Sequence, residues 1–130
     1  MPGTRVLSVG QCGYDHSSIS RFLRQAIEAQ VDPADSADEA LQALRSDPSR
    51  YDLVLVNRAF DRGGSGLDLI KSMREDATLA EVPVMLVSNH ADAQQQAVEL
   101  GALPGFGKSD LGDSAVSKRL QDALGSSGGF

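Results

Sequence analysis

Apolar and polar positions along this chain follow two rhythms that take turns in a regular order. The run RVLSVG (5–10) is short, rich in valine and closed by a glycine, which predicts a buried strand. Ile19, Phe22, Leu23, Ala26 and Ile27 then recur at helical spacing, with Asp15, Ser17 and Ser18 as candidate N-caps. Residues 29–34 predict a weaker second strand. Val31 is its one large apolar residue, and Pro33 confines it to an edge or an irregular end. Ala37, Ala40, Leu41 and Leu44 outline a second helix, closed by Asp47-Pro48. YDLVLVN (51–57) is the most apolar run of all; lacking polar alternation, it reads as a strand covered on both faces.

The pattern continues after the loop RAFDRGGSG. A helix beginning near Ser65 or Gly66 carries Leu69, Ile70, Met73 and Ala77 on its apolar face. PVMLVS (83–88) predicts a fourth strand, and 91–100 a short helix with Ala93, Ala97 and Leu100 inward and Gly101 at its C-cap. ALPGF (102–106) is a glycine-broken fifth strand, and Val116, Leu120, Ala123 and Leu124 face inward on a last helix. Five strands alternating with five helices imply right-handed crossovers and an α/β architecture, a three-layer α/β/α sandwich around a doubly wound parallel sheet. One domain over 1–124 is expected, followed by a flexible C-terminal tail, 125–130. Functional groups in such sheets gather at the carboxyl ends of the strands, here 10–15, 57–61, 88–90 and 107–109.

Composition narrows the function classes. The 130 residues include 12 Lys and Arg against 18 Asp and Glu, a net charge of −6, which argues against a nucleic-acid or anionic-membrane partner. The single cysteine, Cys12, cannot form an internal disulfide framework and suits a reducing compartment. No secretory leader or spanning apolar stretch is evident, so a cytoplasmic location is expected.

Three pieces of the chain, from about Arg5 to Leu124, resemble the receiver domain of two-component response regulators. YDLVLVN with its glycine-bearing loop and GLDLIKSMR is similar to the third strand, active-site loop and third helix. VPVMLVSNHAD resembles the fourth strand with its terminal hydroxyl, here Ser88. GALPGFGK resembles the fifth strand and the lysine that contacts a phosphoryl group, here Lys108. The resemblance implies a CheY-like, flavodoxin-like sheet of order 2-1-3-4-5 and a role in phosphorelay signalling. In that family an aspartate attacks a phosphoryl donor, Mg²⁺ is held by an acidic pair after the first strand, and the hydroxyl and lysine hold the phosphoryl oxygens.

Against that pattern the acidic members are missing. The phosphoacceptor position carries Asn57, whose amide is neutral and a poor nucleophile. The acidic pair falls on Gly10 and Gln11, or one position later on Gln11 and Cys12, and neither choice supplies a carboxylate. The switch-aromatic position is Gly105, and Phe106 beside it points to the opposite face unless a bulge intervenes. Ser109 replaces a proline, and the loop after Asn57 is one residue longer and lacks its proline. Three carboxylates and one lysine would carry two net negative charges; the pocket expected here carries one positive charge. At an effective dielectric near 20, each unit charge 4 Å away is worth about 4 kcal/mol, so Mg²⁺ is not expected to bind. No cofactor, metal site or catalytic residue is assigned, and the chain is not expected to be an enzyme.

The expected function is that of a degenerate pseudo-receiver, phosphorylation-independent and acting on a protein partner. In receivers the face built from the fourth helix, fifth strand and fifth helix commonly carries output or dimer contacts. Asp110, Asp113, Lys118 and Arg119 would supply polar contacts there, including to a homodimer through the last two helices. Two alternatives stand beside it: a small-anion or ligand sensor using the electropositive pocket around Lys108, and a conventional receiver phosphorylated on Asp15 or Asp61. Plainer readings are kept for several residues. Asn57 serves as a strand-end hydrogen-bonding group, Ser88 as a structural hydroxyl, and Lys108 is met by Asp15, Asp61 or solvent. Gln94–Gln96 is either a weakly charged interaction face or a solvated helix surface. Cys12 at a helix entrance is redox-responsive or inert, and His16 and His90 lie too far apart for a metal pair.

Overall fold

The central run becomes β3 (Leu53–Asn57), flanked in the sheet by β1 (Arg5–Val9) and β4 (Val84–Val87), with β2 (Gln30–Ala34) and β5 (Leu103–Phe106) at the edges. This computed structural model describes residues 4–11, 13–47, 50–58 and 65–127, with the backbone alone for 13, 14 and 125–127. All pairings are parallel and the order is β2-β1-β3-β4-β5, as expected. The connecting helices are α1 (Gly13–Ile27), α2 (Ala37–Ser46), α3 (Gly66–Glu75), α4 (Ala91–Glu99) and α5 (Ser114–Ser127), with a 3-10 turn at Lys108–Asp110.

Both faces of the sheet are buried, and the two-residue period of the strands sorts their side chains between two cores. Leu7, Val9, Val54, Val56, Val84 and Leu86 pack with Ala40, Leu44, Leu69, Ile70, Met73, Ala93 and Ala97 of α2, α3 and α4. Val6, Leu53, Leu55, Met85, Val87 and Phe106 pack with Ile19, Phe22, Leu23, Ile27, Val116, Leu120 and Ala123 of α1 and α5. No helix among the described residues is long and apolar enough to cross a membrane.

Pro33 sits where a parallel edge strand tolerates it. Gln30 N–H donates to Thr4 and Gly10 N–H to the carbonyl of Ala34, so the even-numbered residues of β2 bond inward and Pro33 faces away from β1. Ser36 caps α2 by accepting from Glu39 N–H, and Ser65 caps α3 by accepting from Asp68 N–H. Gly101, at φ 109°, follows α4 as expected.

Four expectations need correction. α1 begins at Gly13, so Asp15, Ser17 and Ser18 lie inside it and are not its caps; Asp15 sits in the first turn, where a carboxylate suits the helix dipole. Ala77 lies beyond α3 and is exposed, while Leu79 from the following turn fills the core. α5 continues to Ser127, three residues into the segment expected as tail, and 128–130 lie outside the described residues. Only two of the three glutamines at 94–96 are exposed surface; Gln94 is half-buried.

At the amino end of the sheet, three elements converge on one carboxylate. Asp32 Oδ2 accepts from Arg5 at 2.6 Å and from the Tyr51 hydroxyl at 2.8 Å, with Arg50 3.8 Å away and stacked over the Tyr51 ring. Burial pushes the Asp32 carboxyl up, but the hydrogen bonds and charges of Arg5, Tyr51 and Arg50 outweigh it and hold the group below its ordinary value of 3.8. A carboxyl depressed in the folded state stabilises above its unfolded pKa, and that stability is lost as the pH falls through the folded one. Asp32→Asn should therefore cost about 1 kcal/mol at pH 7. The deficit should shrink below about pH 4, where the wild-type carboxylate protonates too. Urea midpoints measured from pH 7 to pH 2 check both.

Candidate functional site

In a sheet of this order the chain leaves β1 toward one edge for β2 and crosses back to β3, opening a crevice between the carboxyl ends of β1 and β3. Gly10 stands on one side and Asn57 on the other. Gly10 adopts φ 76°, a left-handed conformation open to glycine, and its N–H is held by the carbonyl of Ala34. Its own carbonyl accepts from Asn57 Nδ2 at 3.1 Å, while Asn57 Oδ1 accepts from Arg58 N–H at 2.9 Å. The half-buried amide therefore donates and accepts at once, which an ionised carboxylate cannot do. Gln11 follows Gly10, half-buried, and its side-chain amide has no hydrogen-bond partner among the described residues. Cys12 and Asp61 lie outside the described residues.

On the far side of β3, Ser88 follows β4 and is buried; its hydroxyl accepts from His90 N–H at 3.1 Å, a structural role that ties the turn into α4. Lys108, half-buried at the start of the 3-10 turn, reaches across to Asp15 of α1, Nζ to Oδ2 2.6 Å. This contact bears out the plainer reading of Lys108, in which Asp15 meets it. Ser109, at the position where a proline was expected, donates from its hydroxyl to Asn89 Oδ1 at 2.9 Å. A cavity of about 220 Å³ opens between these groups, lined by Asn57, Arg58, Ser88, Asn89, His90 and Lys108 together with Val87.

For Mg²⁺ the donor set does not fit. The ion asks for carboxylate oxygens. Among the described residues the crevice offers a glycine carbonyl already used by Asn57, an amide, a glutamine, and one carboxylate, Asp15, bound to Lys108. Among the described residues no group of three or more His, Cys, Asp or Glu is placed to hold a metal ion. His16 lies 3.4 Å from Ser20 Oγ on α1, and His90 is the exposed N-cap position of α4.

The residue that sequence reasoning missed is Gln94. Its side-chain amide enters the sheet where β5 slips out of register with β4, between the Met85–Leu103 and Val87–Phe106 pairs. Nε2, with two protons to share, lies within hydrogen-bond distance of the carbonyls of Leu86 (2.9 Å), Ser88 (3.1 Å) and Phe106 (3.3 Å), and Oε1 accepts from Gly105 N–H (3.1 Å). Phe106 stays in the core against α1 and α5, so the irregularity is spent on admitting Gln94. Gly105 has to be glycine: a Cβ there would lie 2.1 Å from the Leu86 carbonyl oxygen and 3.0 Å from Gln94 Oε1. The one legible trace of this arrangement was a Pro-Gly pair breaking a buried strand.

Comparison with known proteins gives a consistent result. The family model of the response regulator receiver domain matches residues 14–109. The two-component response regulator ORR3 of rice (Oryza sativa subsp. indica) is 33% identical over 88 residues, 68% of this chain and 65% of that protein. Rice ORR5 (subsp. japonica) is 30% identical over 84 residues, 65% of this chain and 60% of its own length, so the chain spans less than two thirds of either relative. Among solved structures, a response regulator from Chloroflexus aurantiacus superposes with a TM-score of 0.82 at 21% identity, covering 94% of this chain and 98% of that one. The receiver domain of a DNA-binding response regulator from Colwellia psychrerythraea superposes with a TM-score of 0.77 at 19% identity over 94% and 98% of the two chains.

The Asn57–Gly10 contact generates a prediction of its own. Asn57→Asp exchanges the donor for a carboxylate facing a carbonyl, and should cost about 1–3 kcal/mol at pH 7. Burial against that carbonyl raises the introduced carboxyl's pKa, so the deficit relative to wild type should narrow as the pH falls toward 4 and the carboxyl regains a proton to donate. Denaturant midpoints of both proteins across that range check it.

Proposed function

The chain belongs to the response regulator receiver domain family, and we propose that it uses the receiver scaffold without the phosphoryl chemistry, as a phosphorylation-independent module of a two-component pathway that acts through protein contacts. One observation carries this reading: the group at the phosphoacceptor position is an amide engaged as a donor to the Gly10 carbonyl, so the crevice is closed by a hydrogen bond where the family holds a metal and a nucleophile. Mg²⁺ has no place in the proposed function. Lys108 and Ser88 are kept for structure, the first pairing with α1 and the second holding the turn into α4. The partner surface is the face of α4, β5 and α5, where Val98 is the one exposed large apolar side chain among the described residues. A homodimer across α4 and α5 is one way to use that face. The acidic surface makes a nucleic acid an unsuitable partner, and a cytoplasmic location fits a pathway of this kind.

Incubation with Mg²⁺ and acetyl phosphate, read by intact-mass spectrometry, should leave the wild type unmodified, and Asn57→Asp as well, because the acidic pair stays absent. A stable aspartyl-phosphate on the wild type would overturn the reading and point to Asp15 or Asp61; robust labelling of the single variant would show that the metal argument is wrong.

A second reading has one observation in its favour. Among the described residues the 220 Å³ cavity is lined by Arg58, His90 and Lys108 and by no carboxylate, which suits a small anion, although Asp15 competes for Lys108. Melting temperatures with and without phosphate, sulfate and nucleotides, repeated on Lys108→Ala, separate the two. A rise that disappears in the variant would favour an anion sensor; no rise leaves the module as a protein-contact element alone.

A further inference from the structure

We propose that Gln94 is a positioning residue that locks α4 onto β5 and holds the groove between α4 and α5 in a single conformation. The β4–β5 ladder is interrupted at Pro104-Gly105, where a proline removes one donor and the register slips by one residue. Left alone, the N–H of Gly105 would be buried without a partner, at a cost comparable to a lost hydrogen bond. The Gln94 amide fills the gap as an inserted peptide unit would, offering Nε2 to Leu86 and Oε1 to Gly105. The same Nε2 lies within reach of the Ser88 and Phe106 carbonyls, so one side chain ties the second turn of α4 to the ends of both strands.

Gly105 is held from the opposite helix too. Arg119 of α5 donates to its carbonyl, so the peptide groups of this one residue are anchored to α4 through their N–H and to α5 through their C=O. Above them lies a groove of about 570 Å³, whose walls include Gln94, Gln95 and Val98 from α4, Pro104 from β5 and Arg119 from α5. Both walls are pinned to a common point. Sliding α4 along the sheet would strip the Gly105 N–H of its partner and Leu86 of an added donor together, which makes the joint rigid. The lock operates whether or not the crevice at Asn57 takes a phosphoryl group, so the phosphodonor experiment and the one below fail independently.

Amide hydrogen exchange by NMR tests it. In the wild type the Gly105 N–H should exchange slowly, alongside core amides such as Val54. In Gln94→Ala its rate should rise at least tenfold beyond any change shared by those core amides, with line broadening confined to α4 and β5, whereas Gln95→Ala should leave it unchanged. An unprotected Gly105 amide in the wild type, or the same protection in Gln94→Ala, would overturn the proposal. Gln94→Glu covers the case in which the alanine variant fails to fold. It keeps the acceptor for Gly105 but turns a carboxylate toward three carbonyls, so its pKa rises in the folded state. Relative to wild type, its stability should be lost as the pH climbs above about 4.3 and regained below it. A pH-independent difference between the two would likewise overturn the lock.

Discussion

The carbonyl of Gly10 and the side-chain amide of Asn57 meet 3.1 Å apart across the point where the chain reverses its direction of travel through the sheet. Much of the carboxyl-end architecture hangs on that contact. Gly10 can present its carbonyl there because its left-handed backbone turns the peptide inward, and its N–H is secured by Ala34 at the end of β2. Three strands thus finish in one chain of hydrogen bonds. A doubly wound sheet ordinarily leaves this crevice open to a ligand. Here Asn57 at the end of β3 donates across it to Gly10.

The surrounding polar residues follow the same tendency to pair within the fold. Lys108 finds Asp15, Ser88 holds the amide of His90, and Ser109 holds the side chain of Asn89. In a phosphoaccepting receiver, a hydroxyl and a lysine at these positions would be kept available for an incoming charged group. The same two residue types here stabilise helix and turn positions. In the proposed reading that change of occupation goes with Gly10, Gln11 and Asn57 at the crevice, on a scaffold that superposes on a response regulator over 94% of its length.

The fold was legible because burial on both faces leaves an unmistakable record: four consecutive apolar residues in β3, and α-helical spacing between strands. The proline of β2 pointed to an edge, and the edge is where it lies. Asn57 was readable as a strand-end donor because an amide at that place has few other uses. Contacts between distant positions were only partly readable. Asp15 was one of two candidate carboxylates for Lys108, 93 positions away, and nothing local chose it over Asp61. Gln94 was hidden for a different reason. It sits in a run of three identical residues on a helix, and only the strand irregularity it repairs, eleven residues further on, sets it apart.

The two edge strands also decide how this protein can meet its neighbours. β2 turns Pro33 outward, and β5 carries Pro104 beside a glycine whose N–H and carbonyl are claimed by Gln94 and Arg119. Each border strand thus carries a proline, which removes a backbone donor and makes pairing with a strand from another chain less favourable. Prolines at both borders steer association away from strand addition and toward side chains on the helices.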